Sequence, residues 1–364
     1  MPENIKYLVF GATGLVGSEI VNQLLELNKN VTVLVRKPIE NPSLTQLVGD
    51  IVNKDDVIQA CQGIDIVFQT VAVIDWNPQM PDSMYKVNVE GNRNVINACI
   101  ECGVKKLIYT SSIDVVFNGQ DIDKGDESLP YPDVYLDHYS ESKAIAEKEA
   151  INANGTPHQN GHLWTCSLRT AGIYGPMDRV RLPTLIDAVR KGKYMHIGDG
   201  SSKFSHVYSG NVAHAHILAS EKLGENSGVD GECFFITDHP ATNFFEHVEK
   251  ILIPLGYTPS QKSIPCWILQ VVAVFSEFSA KIFRPKKAPL LTKYTVAANC
   301  RNFNFISEKA KERFGYIPIF SLEESIRLTV EGLKKRGYDS KKNNEEGNSD
   351  KSRIFFRRKR KTVR

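Results

Sequence analysis

Gly11-Ala12-Thr13-Gly14-Leu15-Val16-Gly17 lies between a β-rich apolar run, Ile5 to Phe10, and a stretch with helical apolar spacing, Leu15 to Leu27. In that setting Gly11 permits a tight turn, Gly14 lets the backbone approach a pyrophosphate, and Gly17 lets helix and strand pack closely. The helix N-terminus then offers free N–H groups to an anion, so Gly11, Thr13, Gly14, Leu15, Val16 and Gly17 are the expected cradle of a dinucleotide. Working outward, Val31 to Val35 is a second apolar strand that closes a βαβ unit. The alternation continues through Gln46-Leu47-Val48, a helix to about Cys61, the strand Ile64 to Val73, a helix from Ser83 to Glu101 and the strand Lys106 to Ser111. Strands alternating with helices predict a parallel, doubly wound α/β sheet of the Rossmann type.

Beyond it a helix is expected to run to about Asn152, Asn154 to His162 to form a surface loop, and Leu163 to Thr170 to be another strand. The later elements are less regular: helices near Leu182 to Lys191, Asn211 to Leu223 and Asn243 to Leu252, and short strands near Phe204 to Val207 and Phe234 to Thr237. The expected division is a nucleotide-binding domain over 1–175 that carries the catalytic residues, a smaller irregular substrate region over 176–337 with returns to the first domain, and a disordered basic tail over 338–364.

The 364 residues are 41% apolar and 24% charged, ordinary values for a soluble globular protein. The net charge of +3 hides an asymmetry: Lys351 to Arg364 holds eight basic residues, without which the remainder carries −5. A nucleic-acid role would therefore rest on the tail alone, and none is expected. Met1-Pro2-Glu3-Asn4 carries no basic-then-apolar leader, and seven scattered cysteines predict reduced thiols in a cytosolic environment. Cys99-x-x-Cys102 has no second pair at zinc spacing and reads as helix packing. His138, His206, His214 and His216 are too scattered, and His214 and His216 too differently directed on one helix, to form a metal site.

The second strand bears on the choice of dinucleotide. An acidic residue at its end would accept from the ribose hydroxyls of NAD and repel a phosphate. Here Arg36 and Lys37 occupy that place, which favours the 2′-phosphate of NADP, with NAD as the alternative if both cations face solvent. Asp50, followed by Ile51, is placed to meet the adenine end, and Thr70, Val71 and Ala72 to pass near the ribose and nicotinamide.

Thr110-Ser111-Ser112 stands at the carboxyl end of a strand, where open parallel sheets bind ligands. Tyr139, 27 residues beyond Ser112, precedes Lys143 by one helical turn. Ser112 would hold a substrate oxygen, Tyr139 would move its proton, and Lys143 would lower the tyrosine pKa and bind the nicotinamide ribose. Tyr338 and Lys342 repeat the spacing in a polar stretch where nothing supports a site, so the pair alone proves little.

GATGLVG, YTSSIDVVF, YSESK and LRTAGIYGP occur in that order and resemble the extended short-chain dehydrogenase/reductase superfamily. Val87-Asn88-Val89-Glu90-Gly91 resembles that superfamily's helix motif, which implies that Asn88 supports the catalytic geometry; Ile173 falls in the loop beside the nicotinamide. Asn211 to Ala219, Gly231 to Thr237 and Phe303 to Tyr316 are similar to the 3β-hydroxysteroid dehydrogenase and sterol-4α-carboxylate 3-dehydrogenase branch, a match covering roughly 5 to 335. The branch implies oxidation of a 3β-hydroxyl, or reduction of a 3-ketone, on a sterol or steroid; a 4-carboxylated substrate would give a β-keto acid that loses carbon dioxide. Arg36 departs from the acidic residue common among sterol oxidisers and points to an NADPH-dependent ketoreductase. Arg169-Thr170 stands where Arg-Pro is usual, and no residue qualifies as the acid of a steroid isomerase. The rival readings are a dihydroflavonol-reductase-like reductase of another hydrophobic ketone and a catalytically silent NADP-sensing protein.

Ser263 to Ser276 is uncharged and its apolar pattern continues through Glu277 and Lys281 to Phe283; the uncharged part is too short for a membrane span of about 20 residues. Trp267, Val271, Val274, Phe278 and Ile282 fall on one helical stripe followed by Lys281, Arg284, Lys286 and Lys287. Two readings stand: a helix in the membrane plane that feeds a lipid-like substrate to the site, or a core helix of the smaller domain. The first, with the basic tail, makes a cytoplasmic protein peripheral at the cytosolic face of the endoplasmic reticulum. A homodimer is left open.

Overall fold

The computed structural model describes residues 5–75, 81–283, 289 and 291–340. Arg284, Lys286, Lys287 and the basic run of the tail lie outside them, as does Lys342.

Seven parallel strands form the main sheet: β1 (Lys6–Phe10), β2 (Asn30–Val35), β3 (Thr45–Val48), β4 (Ile66–Gln69), β5 (Lys106–Ser112), β6 (Gly161–Thr170) and β7 (Cys233–Ile236). Their order, β7-β6-β5-β4-β1-β2-β3, reverses direction between β1 and β4. That reversal opens a crevice at the carboxyl ends of the strands, where doubly wound folds bind ligands. The central strands are apolar on both faces because helices cover both sides; Leu8, Val9, Val33, Val67, Phe68, Leu107 and Ile108 are all buried. The first half of the cover is α1 (Leu15–Glu26), α2 (Lys54–Cys61), α3 (Gly91–Cys102) and α4 (His138–Asn152). α3 is entered through a helical turn, Asp82–Tyr85, and a π-turn, Lys86–Glu90.

The second half supplies α5 (Arg181–Arg190), α6 (Ser209–Lys222), α7 (Phe244–Leu252), α8 (Cys266–Phe283), α9 (Lys293–Cys300), α10 (Glu308–Phe314) and α11 (Leu322–Lys335). It returns to the sheet twice: α6 packs on α1, and β7 pairs with β6. A separate apolar cluster joins Leu182 and Ile186 of α5, Val248 and Ile251 of α7, and Val330 and Leu333 of α11. The stretch expected as a loop contains a short antiparallel pairing, Thr156–His158 against the start of β6, closed by positive φ at Gly155 and Gly161.

Cysteine chemistry needs a correction. Cys266, opening α8, is disulfide-bonded to Cys300, closing α9, across Cα atoms 5.9 Å apart. The odd count and wide spacing concealed one pair that the α8–α9 packing brings together. Cys61, Cys99, Cys102, Cys166 and Cys233 are free thiols, and Cys99 and Cys102 are buried on α3 beside Cys61.

The stripe on α8 also resolves. Leu269 and Ala273 pack against Val296 of α9. Trp267, Val271, Val274, Phe278 and Ile282 remain 68%, 53%, 50%, 64% and 58% exposed, joined by Phe275 at 69%. The core-helix reading fails for this stripe. No helix among the described residues is long and apolar enough to cross a membrane.

Candidate active site

The glycine turn is shaped as a cradle. Gly11 has φ +87, a left-handed conformation that L side chains rarely adopt. A Cβ on Gly17 would strike the Gly11 backbone and come within 2.9 Å of Thr70 Oγ1, whereas one on Gly14 would meet only the Gly11 carbonyl oxygen, at 3.2 Å. Gly17 is therefore a packing glycine, and Gly14 is tight only against the Gly11 carbonyl oxygen. Thr70 fixes the turn by donating from Oγ1 to the Phe10 carbonyl at 2.7 Å. Gly14 caps α1 with no side-chain hydrogen bond, which leaves the amides of the first turn for an anion. These features fit a dinucleotide pyrophosphate; Thr13 and Leu15 lie in the same turn and first helical turn, and Val16 is buried beneath it.

Arg36 and Lys37 follow β2 directly and are exposed. Asp50 follows β3, receives the Val52 amide on Oδ1 at 3.2 Å and is half-buried, while Ile51 is buried and its carbonyl accepts from Asn94 Nδ2 at 3.0 Å. Val71 and Ala72, beyond β4, are half-buried, as is Ile173 in the short strand Gly172–Tyr174. Arg36, Asp50, Thr70 and Ser112 thus each stand at or just past the carboxyl end of a parallel strand, along one edge of the sheet.

The acid/base candidates meet around α4. Asp137 caps that helix, accepting from the Ser140 amide at 2.9 Å and Ser140 Oγ at 2.7 Å. Tyr139, Lys143 and Glu147, successive turns of one face, are all buried. Lys143 Nζ donates to the Thr110 carbonyl at 2.6 Å and lies 4.1 Å from the centre of the Tyr109 ring. Burial pulls the Lys143 ammonium down to about 7, while Glu147 acts to raise it. Burial and then Asp114 push the Tyr139 phenol above its ordinary value, against a hydrogen bond with Ser112. The group that lowers the phenol here is Ser112. The ammonium is turned to the Thr110 carbonyl, and burial of the ring dominates.

Asn88 sits in the π-turn before α3, a helical irregularity frequent at functional sites. Its Oδ1 accepts from the Val73 amide at 2.7 Å, and its Nδ2 donates to the Val73 carbonyl and to Ser142 Oγ, both at 3.0 Å. It ties the segment beyond β4 to α4, one residue from Lys143. The Arg169-Thr170 departure has a structural account: Thr170 Oγ1 donates to the Ser111 carbonyl at 3.0 Å and joins the ends of β5 and β6.

Sequence reasoning passed over Glu147, Asp114 and Tyr294, and weighed His216 only as a metal ligand. Glu147 pairs with Arg169 at 2.9 Å and also accepts from Ser167 Oγ and Tyr131 OH, both at 2.7 Å. Burial alone would raise its carboxyl; Arg169 and these donors outweigh that and hold it low. Its signal was the spacing of four beyond Lys143. Asp114, two residues beyond Ser112, accepts from Ser112 Oγ at 2.7 Å. It also accepts from the phenol of Tyr294 on α9, at 2.6 Å. Among the histidines, His216 is buried, with Nε2 2.7 Å from Thr110 Oγ1 and Nδ1 2.8 Å from the Val212 carbonyl. Those two bonds place its proton on Nδ1, and burial brings it down to about 4. No group of three or more His, Cys, Asp or Glu side chains among the described residues is arranged to hold a metal.

A dinucleotide cradle on a doubly wound sheet, with a serine, a buried tyrosine and a lysine at the same strand ends, defines a NAD(P)-dependent dehydrogenase of the short-chain type, acting on CH–OH groups. Residues 8–266 match the model of the 3-beta hydroxysteroid dehydrogenase/isomerase family, and the chain belongs to that family. Over 332 residues it is 35% identical to the sterol-4-alpha-carboxylate 3-dehydrogenase, decarboxylating, of Mus musculus, covering 90% of this chain and 91% of the mouse protein. It is 38% identical over 310 residues to 3beta-hydroxysteroid-dehydrogenase/decarboxylase isoform 1 of Arabidopsis thaliana, covering 83% of this chain and 70% of that protein. Among solved structures, that of gox2253 superposes with a TM-score of 0.71 at 26% identity, covering 92% of this chain and 99% of that one. The UDP-glucose 4-epimerase of Thermotoga maritima, at 24% identity and a TM-score of 0.68, shares the fold, covering 91% of this chain and 99% of its own.

Proposed function

We propose that the protein interconverts the 3β-hydroxyl and 3-keto groups of a 4-carboxylated sterol, with Tyr139 exchanging the proton and NADP as the preferred cofactor. The observation that carries this reading is the convergence of Ser112, Tyr139, Lys143 and Asn88 on one buried strand-end site; relatives named as sterol-4α-carboxylate dehydrogenases support the substrate class. The nicotinamide, when bound, takes the hydride from C3 of the alcohol or returns it to the ketone. The hydroxyl proton passes to Tyr139, and Ser112 holds the carbinol oxygen. The resulting β-keto acid loses carbon dioxide without further help from the protein. Lys143 reaches the nicotinamide ribose, Asn88 holds α4 in place, and Gly11 to Gly17 with Thr70, Val71, Ala72 and Ile173 enclose the pyrophosphate and ribose. Asp50 and Ile51 border the adenine, Arg36 and Lys37 receive a 2′-phosphate, and 176–337 supplies the sterol-binding surface.

The same reading assigns the exposed stripe of α8 to a bilayer. Each buried Trp, Phe or Ile side chain is worth about 1.5–3 kcal/mol, so Trp267, Phe275, Phe278 and Ile282 together suffice for peripheral attachment where a sterol dissolves. Turnover of 3β-hydroxysterols and 3-ketosterols, with and without a 4-carboxylate, against NAD and NADP tests the assignment. Turnover confined to non-sterol ketones would overturn it in favour of the rival reductase.

A further inference from the structure

Arg181 opens α5 and lies against the segment that carries the chain on from β6. Ser112 and Thr170 are partners in the sheet, and two residues beyond Thr170 the short strand Gly172–Tyr174 begins. Arg181 Nη2 donates to the carbonyls of Gly172 and Ile173, at 3.1 and 2.6 Å, which fixes the guanidinium just past the sheet partner of Ser112. A Cβ on Gly172 would come within 2.7 Å of Arg181 Nη1, so the missing side chain is what admits the guanidinium there.

This cation forms no ion pair among the described residues. The two carboxylates in its field are engaged elsewhere: Asp178 accepts from the amides of Val180, Arg181 and Leu182, and Asp114 from Ser112 and Tyr294. Arg181 is half-buried, but its Nε is fully buried and has no hydrogen-bond partner. Burial pulls the guanidinium below its ordinary value, and Asp178, Tyr294, Tyr174 and Asp114 only oppose that. A cation withdrawn from water without a partner charge is costly, and an anion bound there offsets the cost.

The residues around it share the deficit. His206 stands opposite Gly172 in a parallel pairing, and its ring stacks on that of His247 of α7 at 3.8 Å. The two histidines are 5% and 4% exposed, and the Nε2 of each is buried without a hydrogen-bond partner. Burial, ahead of the neighbouring cations, brings His247 down to about 3 and His206 well below its ordinary value, so both rings are neutral. Phe244 of α7 adds an aromatic wall, its ring centre 5.8 Å from Arg181 Cζ and 5.9 Å from the His206 ring. One cation, two neutral rings with unpaired nitrogens and an aromatic wall suit a single negative charge on an apolar body better than a phosphate dianion.

Resting on the proposed alcohol–ketone chemistry, we infer that Arg181, backed by His206 and His247, is the residue that selects the 4-carboxylate of the substrate. The carboxyl carbon is two bonds from C3, so a sterol whose 3-oxygen rests on Ser112 carries its carboxylate into the same stretch of strand ends. The Gly172 and Ile173 carbonyls hold Nη2 and keep the head from turning, which leaves Nη1 to donate to the carboxylate. A sterol without the carboxylate leaves the guanidinium unpaired and is the poorer substrate.

The test compares kcat/KM for a 3β-hydroxysterol bearing a 4-carboxylate with that for the same sterol bearing a 4-methyl group, using the full-length protein. The expected ratio is at least about 100 in favour of the acid for the unaltered protein, falling to within about fivefold of unity for Arg181→Met. Arg181→Lys keeps the charge but not the planar fork, and should restore an intermediate ratio. A merely structural role would lower both rates together, so an unchanged ratio in Arg181→Met would overturn the inference. Should that variant fail to fold, binding to the unaltered protein decides. A 4-carboxylated sterol lacking the 3-oxygen, which cannot react, should bind at least about 30-fold more tightly than its methyl ester, and equal binding would overturn the inference. Turnover of the acid and the 4-methyl sterol at equal kcat/KM would also overturn it while leaving the alcohol–ketone chemistry standing; turnover of neither would defeat the functional reading beneath it.

Discussion

Helices α4 and α8 invert the usual distribution of residues in opposite ways. α4 buries Tyr139, Ser140, Ser142, Lys143 and Glu147, whereas α8 exposes Trp267, Val271, Phe275, Phe278 and Ile282. Both arrangements cost stability unless a partner offsets them, since buried polar groups need hydrogen bonds and large exposed apolar patches are rare on monomers. On α4 the partners are internal: Arg169, Ser167 and Tyr131 for Glu147, Thr110 for Lys143, Asn88 for Ser142. On α8, among the described residues, the side bearing Leu269, Ala273 and Ala280 is covered from within, and the large side chains face out. One helix is satisfied inside the chain, and the other leaves its large apolar side chains exposed.

The sharpest way to break that contrast is to remove an internal partner. Glu147→Ala should destabilise the protein by about 3–5 kcal/mol, because Arg169 is left buried and unpaired; denaturant unfolding measures this, and a loss below about 1 kcal/mol would mean that water satisfies the site. The corresponding change on α8 should leave folding alone. Phe278→Glu is expected to weaken binding to phosphatidylcholine–phosphatidylserine vesicles by about 10–100-fold with an unfolding free energy within about 0.5 kcal/mol of the original. A marked loss of stability would return that face to the protein interior. Arg36, exposed like the α8 stripe but polar, should also be completed from outside: Arg36→Asp is expected to shift the NADPH/NADH preference by about tenfold toward NADH, as kcat/KM ratios will show. Unchanged preference would remove Arg36 from cofactor choice.

The smallest effect concerns the cap of α4. Burial raises the Asp137 carboxyl from 3.8 to about 6, ahead of the opposing bonds from Ser140. The folded state then holds a proton that the unfolded state has released, so stability should fall as pH rises from about 4 to about 6 and level off above. Asp137→Asn should flatten that slope. A slope that survives the substitution belongs to another group.

Local patterning made most of the architecture legible. Strands alternating with helices over 5–112 were placed within a few residues, because a strand buried on both faces reads as an uninterrupted apolar run. The glycine turn and the residues at the strand ends were legible for the same reason: topology puts the carboxyl ends of parallel strands along one edge. What the sequence hid was non-local or symmetric. Tyr294 reaches Asp114 across 180 residues, and nothing near either residue advertises the contact. The Cys266–Cys300 pair depends on how α8 and α9 dock. An apolar stripe reads the same whether it is buried or exposed, so the exposure of Trp267 to Ile282 could not be decided before packing was known. Spacing shows which residues share a face, as Tyr139 and Lys143 do, but not how far burial raises a phenol.

The most direct test supplies a 3β-hydroxysterol bearing a 4-carboxylate, with NADP, to the full-length protein and to Tyr139→Phe, and follows the sterol product and carbon dioxide together. The account predicts equal amounts of 3-ketone lacking the carboxyl carbon and carbon dioxide from the unaltered protein, and a rate at least about 100-fold lower from Tyr139→Phe. Undiminished turnover by Tyr139→Phe, or no oxidation of the sterol by either protein, would contradict it.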